Sequence, residues 1–407
     1  MKSFARVFML SLVVAAATSL ALQAAEPPRL QISKEALGGM LGSDEVGQIR
    51  ERLEYFAKIM RNADDGKAEE ISEIYEARKG ISDTYTTYDS TSFRYTTASL
   101  AAEILTPFLD ADSELKRVNA ALALSAMPQV TIQPALEKMI VHPSPSVRYL
   151  GWEGYRSAWV RVVGQGPLPT KTMFASLAKR AEGEDSAHVM GAIWQMLQLR
   201  ADVPPDPPRG MRPPKQLAFD ILRKTWRKRC RQIHDGSLPM AKVARKAIAA
   251  VIDHATAPGG GKDKTAAICQ MLCDMMYASA KAYEADSIAV GDLDNAGDEA
   301  TAKRKKPLGA VGRANATLLL RCEMALNGLL GASQAKRKDY IHAVLTDRRL
   351  SRKDRGRRMV FWEDLDTGKR YGAMWWLEDL KKFGVRKPDF EKTGSRPAAT
   401  TKRGPDK

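Results

Sequence analysis

"SELKRVNAALALSAMPQVTIQPALEKMIVHPSPSVRYLGWEGYRSA", residues 113–158, decides the fold, because its first helical phrase returns 31 residues later. With that shift Leu105 falls on Leu136, Phe108 on Met139 and Leu109 on Ile140. Arg117 falls on Arg148, and Ala120 on Gly151. Each unit reads as a helix, a short polar turn, and a second helix that opens with arginine and has a small residue three positions on. Apolar residues at three- and four-residue steps predict helices over 98–109, 115–127, 132–141 and 146–162. Pro128 and "HPSP" (142–145) interrupt them. Pro134 stands in a first turn, where its missing N–H costs nothing, and Ser146 is the expected N-cap. The small residue lets neighbouring helices approach closely. A unit of this kind cannot bury its apolar face alone, so it predicts helices stacked on helices.

The two units resemble the short bacterial form of the HEAT-like (ARM-type) repeat. Its second helix follows an acidic or proline-containing turn and opens Val-Arg-x-x-Ala. Here the pattern reads "DADSELKRVNAA" (110–121) and "HPSPSVRYLGW" (142–152). The resemblance implies an all-α chain built on a right-handed α-solenoid. It also implies a ladder between repeats in which Asp112, Arg117 and Arg148 are structural. Lys116 occupies the family's valine place, and the second turn has no aspartate. Weaker echoes follow at 184–197, with His188 in the arginine place and Gly191 in the small place, and at 238–252. The expected repeat array spans 98–285.

Outward from the array, the chain opens "MKSFARVFMLSLVVAAATSLALQAAEPP": two cations, an uncharged apolar run, then small residues. That is the layout of a secretory signal peptide over 1–24, with cleavage near Ala24 or Ala25, so an extracytoplasmic protein is expected, periplasmic or secreted. Residues 25–97 should form a helical cap, two helices parted at Asp64–Asp65–Gly66, then the Ser/Thr/Tyr stretch "SDTYTTYDSTSFRYTT" (82–97). That stretch lacks helical periodicity and is expected as an ordered loop whose aromatics pin it to the core. On the far side, "DVPPDPPRGMRPP" (202–214) reads as a stiff connection. Residues 286–308 read as a polar linker, 309–386 as a basic C-terminal helical domain, and 387–407 as a disordered tail.

The charge is uneven. The chain nets +16, and residues 301–407 hold 27 Lys/Arg against 12 Asp/Glu, or +15. Everything before residue 301 is therefore close to neutral. Arg348, Arg349, Arg352, Lys353, Arg355, Arg357 and Arg358 crowd one short segment, and arginine forks suit phosphate, sulfate and carboxylate. An exported protein does not meet chromosomal nucleic acid. The expected partners are another protein on the array surface, and an acidic polysaccharide or anionic envelope surface at the basic region. Trp362, Trp375 and Trp376 lie nearby and read first as core residues.

No motif identifies an enzyme. "ATAPGGGKDKT" (255–265) has Thr256 and Asp263 where a phosphate loop needs glycine and Ser/Thr. "DLDNAG" (292–297) leads to Lys303 where a calcium loop needs glutamate. The five histidines are scattered, so neither metal nor cofactor is expected. Cys230, Cys269, Cys273 and Cys322 are either partly bridged or free buried thiols, and spacing leaves both open. The expected function is a non-catalytic binding or scaffold protein. The alternative is an extracytoplasmic enzyme of unrecognised type acting on an acidic polymer.

Overall fold

The structure is a computed structural model that describes residues 26–200, 209–210, 212–255, 262–295, 309–331, 338–347, 350–363 and 370–390. Among them stand sixteen α-helices and one two-stranded antiparallel ribbon, so the chain is all-α. The expected signal peptide lies outside the described residues. No helix among the described residues is long and apolar enough to cross a membrane. The chain divides into two compact units, Met1–Leu100 and Ala101–Lys407.

The first unit holds α1 (Lys34–Gly38), α2 (Ser43–Asn62), α3 (Ala68–Thr86) and the start of α4 (Thr91–Leu105). Ile49, Leu53, Phe56 and Met60 of α2 and Ile74 and Ile81 of α3 are buried, and the two helices pack together. The expected loop over 82–97 is instead helix, broken only at residues 87–90. α3 buries Ile74, Ala77, Ile81 and Tyr85, α4 buries Phe93, Ala98, Ala101 and Leu105, and the hydroxyls at the end of α3 are satisfied within it. Ser82 donates to the Arg78 carbonyl, Thr84 to Gly80, Thr86 to Ser82 and Thr87 to Asp83, each four residues back. Back-bonded hydroxyls need no solvent, so a Ser/Thr-rich segment can be helical without an apolar stripe. The aromatics do pin the segment: Phe93 is fully buried, and Tyr88 donates to the Leu30 carbonyl at 3.3 Å.

The second unit begins with a 3₁₀ turn, Thr106–Asp110. Then come α5 (Glu114–Ser125), α6 (Gln133–Ile140), α7 (Pro145–Gly164), α8 (Pro167–Gly183) and α9 (Ala187–Met196). α10 (Pro214–His234), α11 (Leu238–Ala255), α12 (Lys262–Asn295) and α13 (Ala310–Leu329) follow. The chain ends in α14 (Tyr340–Thr346), α15 (Arg352–Val360), β1 (Trp362–Glu363), β2 (Arg370–Tyr371) and α16 (Ala373–Leu380). Ser113 caps α5 by accepting from the Lys116 amide, as an N-cap hydroxyl should. Ser146 is not the cap of α7; Ser144 holds that position, and proline fills the first turn.

α6 and α7 approach closely because Gly151 and Gly154 face α6. A Cβ on Gly151 would sit 2.9 Å from Met139 Cβ and 3.0 Å from the Ile140 amide nitrogen. α5 packs on α7, α7 on α9, α9 on α11 and α11 on α13; α8 packs on α10 and α10 on α12. Five tryptophans, Trp152, Trp159, Trp194, Trp226 and Trp376, are fully buried in this core.

Two boundaries move. The expected linker is helical over 286–295, the last turns of α12, and its remainder lies outside the described residues. The 309–386 region is no separate domain: α13 packs along α12 and α11, and α15 packs on α12. Gly309 and Gly356 explain why the polar end of α12 stays helical. A Cβ at Gly309 would meet Asp286 Oδ1, and one at Gly356 would stand 2.7 Å from Ser287 Cβ, so both segments close directly onto α12. The tail begins packed, with Phe390 buried and stacked on Tyr277; 391–407 lie outside the described residues.

Candidate functional site

The basic segment resolves into residues with different tasks. Ser351 caps α15 by accepting from the Asp354 amide, and this fixes which face each base takes. Arg355 turns inward. Its Nη2 donates to the Asp347 carbonyl at 3.0 Å and the Leu350 carbonyl at 3.5 Å, closing the turn before the helix. It also bonds Tyr283 of α12 and opposes the rise that burial imposes on that phenol. Arg355 is therefore a structural residue rather than a free ligand for a polyanion. Arg357 is exposed, Lys353 is half-buried, and the Arg358 guanidinium lies over the Tyr371 ring, 6.0 Å from its centroid. Arg348, Arg349 and the Arg352 side chain lie outside the described residues.

The β-ribbon brings in residues that the sequence reading did not single out. Pairing of Trp362 with Tyr371 and Glu363 with Arg370 places Arg370 beside α16. Its guanidinium lies 4.2 Å from the centroid of Trp375, and it is exposed. Phe361, half-exposed, stacks on the same indole at 5.2 Å and 25°. Trp376 points the other way, fully buried, and its Nε1 donates to Glu323 Oε1 at 3.1 Å. The Trp362 side chain lies outside the described residues. Arg370 also bonds the Tyr340 hydroxyl, so the phenol and the indole together limit the swing of its guanidinium. The result is an arginine–aromatic face: Arg357, Arg358 and Arg370 around Phe361, Tyr371 and Trp375.

The repeat arginines form a second polar system. Arg117 Nη1 donates to the Ala111 carbonyl at 2.5 Å and the Asp112 carbonyl at 3.0 Å. Arg148 Nη1 donates to the carbonyls of His142 and Pro143 at 2.9 and 2.7 Å. These acceptors are themselves 31 residues apart, so the two arginines close equivalent turns. Their carboxylate partners differ from the expected ladder. Asp112 contributes its carbonyl. Glu114 takes Arg117 at 2.8 Å, and Glu184 takes Arg148 through two bonds of 2.9 Å. Ser144 donates to Glu114 at 2.7 Å and ties one unit to the next. Burial alone would raise the Glu114 carboxyl, but bonds from Ser144, Arg117 and Ser146 outweigh it and hold it below its ordinary value. In the third unit His188 is exposed, and the buried Arg229 reaches across from α10 to the Ala181 carbonyl at 2.9 Å.

Several other titratable groups are buried in the core. His142 Nε2 lies 2.9 Å from the Leu109 carbonyl while Nδ1 accepts the Ser144 amide, which fixes a neutral tautomer. His254 lies 2.8 Å from the Leu197 carbonyl, and burial pushes it down to about 4. Glu323 is buried, which pushes it up; the Ile341 and His342 amides and Trp376 bond it and oppose that rise. Cys230, Cys269, Cys273 and Cys322 are all free and buried in the structure, and burial raises every one. Asp274 stands beside them, raised by burial to about 6, with Gln270 donating to it at 2.7 Å. Among the described residues no group of three His, Cys, Asp or Glu could hold a metal ion. No protein family, curated protein or solved structure matches the chain.

Proposed function

We propose that this chain is a non-catalytic binding scaffold that works outside the cytoplasm. A HEAT-like α-solenoid presents a protein-binding surface, and the C-terminal arginine–aromatic face engages a polyanion. Three observations support the array reading. Second helices α5, α7, α9, α11 and α13 pack in sequence order, first helices α8, α10 and α12 do the same, and Arg117 and Arg148 close equivalent turns. The apolar leader supports export.

The observation that carries the polyanion reading is the Arg370–Trp375–Phe361 stack, with Arg357 exposed on α15. There a basic surface is ordered by rings instead of being a row of solvated lysines. Acidic polysaccharide suits it best, because the half-exposed Phe361 ring offers a stacking surface and the arginines offer forks.

The test is a salt titration of the full-length chain on a heparin-like matrix, against Arg357→Glu and Arg370→Glu. Truncation is unsuitable because α13 packs on α11 and α12. Ion pairing by counterion release makes log affinity fall linearly with log salt, and each lost contact lowers the slope by about 1. The wild type should show a steep slope and each variant a shallower one. Equal slopes for all three chains would refute the assignment of this face.

A further inference from the structure

A groove of about 490 Å³ runs between α8 and α10, apart from the arginine–aromatic face. Phe174, Ala175 and Ala178 of α8 and Leu217 and Ile221 of α10 line its floor. The hollow follows from the sequence. α8 buries Met173, Phe174 and Leu177 against the core, and alanines at 175 and 178 are too short to fill the space beside α10. The rim is polar and predominantly cationic: Lys171, Arg212 and Lys224 against one carboxylate, Asp220. Arg212 pairs with Asp220, and Lys224 bonds Glu182 at 2.7 Å, so both of these cations are charge-paired at the mouth. Lys171 is exposed and has no ion-pair partner among the described residues.

We propose that this groove binds one single-chain anionic amphiphile, a fatty-acid-like carboxylate, with its hydrocarbon chain on the α8–α10 floor and its headgroup between Lys171 and Lys224. The size falls within the range of small-ligand clefts, about 300–1,000 Å³, which are mostly apolar with a few convergent polar groups. Charge decides the headgroup: with Arg212 paired to Asp220 and Lys224 to Glu182, the uncompensated charge at the mouth is that of Lys171, which favours an anion and opposes a quaternary ammonium. The apolar floor decides the tail. A wholly polar anion would leave Ala175, Ala178 and Leu217 wet, whereas a chain removes that surface from water.

The test is titration calorimetry on the full-length chain with dodecanoate, octanoate and dodecyltrimethylammonium, all below their micelle concentrations. Dodecanoate should bind saturably at one per chain. Octanoate, four methylenes shorter, should bind weaker by about ten-fold or more, since each buried methylene contributes roughly two- to four-fold. The cationic amphiphile should show no saturable binding. Ala178→Trp and, independently, Ala175→Trp should fill the groove and abolish binding at unchanged melting temperature. Lys171→Glu should weaken it by about three- to five-fold. Equal binding of cation and anion would overturn the proposal. So would wild-type affinity in a groove-filled variant that remains folded. So would failure of the wild type to bind dodecanoate, the result expected if a partner helix or another segment of this chain occupies the groove.

Discussion

Removing Arg148 should cost far more than removing its repeat equivalent Arg117, and the difference is set by what each leaves behind. Arg148 makes two bonds of 2.9 Å to Glu184, whose side chain is only 5% exposed, and two more to the His142 and Pro143 carbonyls. In Arg148→Ala the Glu184 carboxylate keeps the Asp185 and Ser186 amides but loses its only cation of that pair. Breaking a buried pair from one side costs about 3–5 kcal/mol. Arg148 itself is 19% exposed, so water reaches part of the vacated space, and about 3 kcal/mol is the expected loss. Arg117 pairs with Glu114, which is half-exposed, so Arg117→Ala should cost only about 1 kcal/mol. The assay is urea denaturation at constant slope, comparing midpoints for both variants with Glu184→Gln and with Arg148→Ala/Glu184→Gln. The double variant should fall short of the summed single losses by about 1 kcal/mol or more. If Arg148→Ala costs no more than Arg117→Ala, or the double variant is additive, the ladder is not what joins these units.

Burial should set opposed pH responses in His254 and Asp274. His254 is lowered from 6.5 to about 4, so between those pH values the unfolded chain takes a proton the folded chain refuses, and stability falls as pH falls. Asp274 is raised from 3.8 to about 6, so the folded chain keeps a proton the unfolded chain has released, and stability falls as pH rises through that window. Each is worth about 3 kcal/mol at most, and the two oppose each other between pH 4 and 6. His254→Gln keeps a donor for Leu197 and should gain on wild type as pH drops; Asp274→Asn should gain as pH rises. Flat difference curves in pH-dependent denaturation would show these sites to be hydrated. All four thiols should resist an aromatic disulfide reagent in the folded chain and react in denaturant without reductant; fewer than four would mean a bridge. Gly151→Ala should destabilise by about 1–3 kcal/mol despite alanine's better helix propensity, because the new Cβ meets the Ile140 backbone. A thermal melt that rises instead would show that α6 and α7 can part at no cost.

The sequence by itself determined what is local. Apolar steps of three and four residues and a proline in a first turn act within a turn or two, so the helices of 98–162 could be read directly, though the cap of α7 fell at Ser144 rather than Ser146. So could the equivalence of Arg117 and Arg148, because a repeated unit repeats its turn. Tertiary structure decided everything that depends on which surface meets which. Glu184 is the partner of Arg148 because a later turn comes back beside it, 36 residues on. Arg355 is drawn inward while Arg357, two residues away, stays out, since only one face of α15 meets α12. The Ser/Thr stretch over 82–97 is helical on both sides of a break at 87–90 because buried neighbours such as Phe93 anchor it, a choice that its own apolar periodicity did not register. Arg370 joins the candidate face through ribbon pairing, and helix packing is what buries the four thiols, free in the structure. In each case the residue type allowed two outcomes, and the neighbour that packed against it selected one.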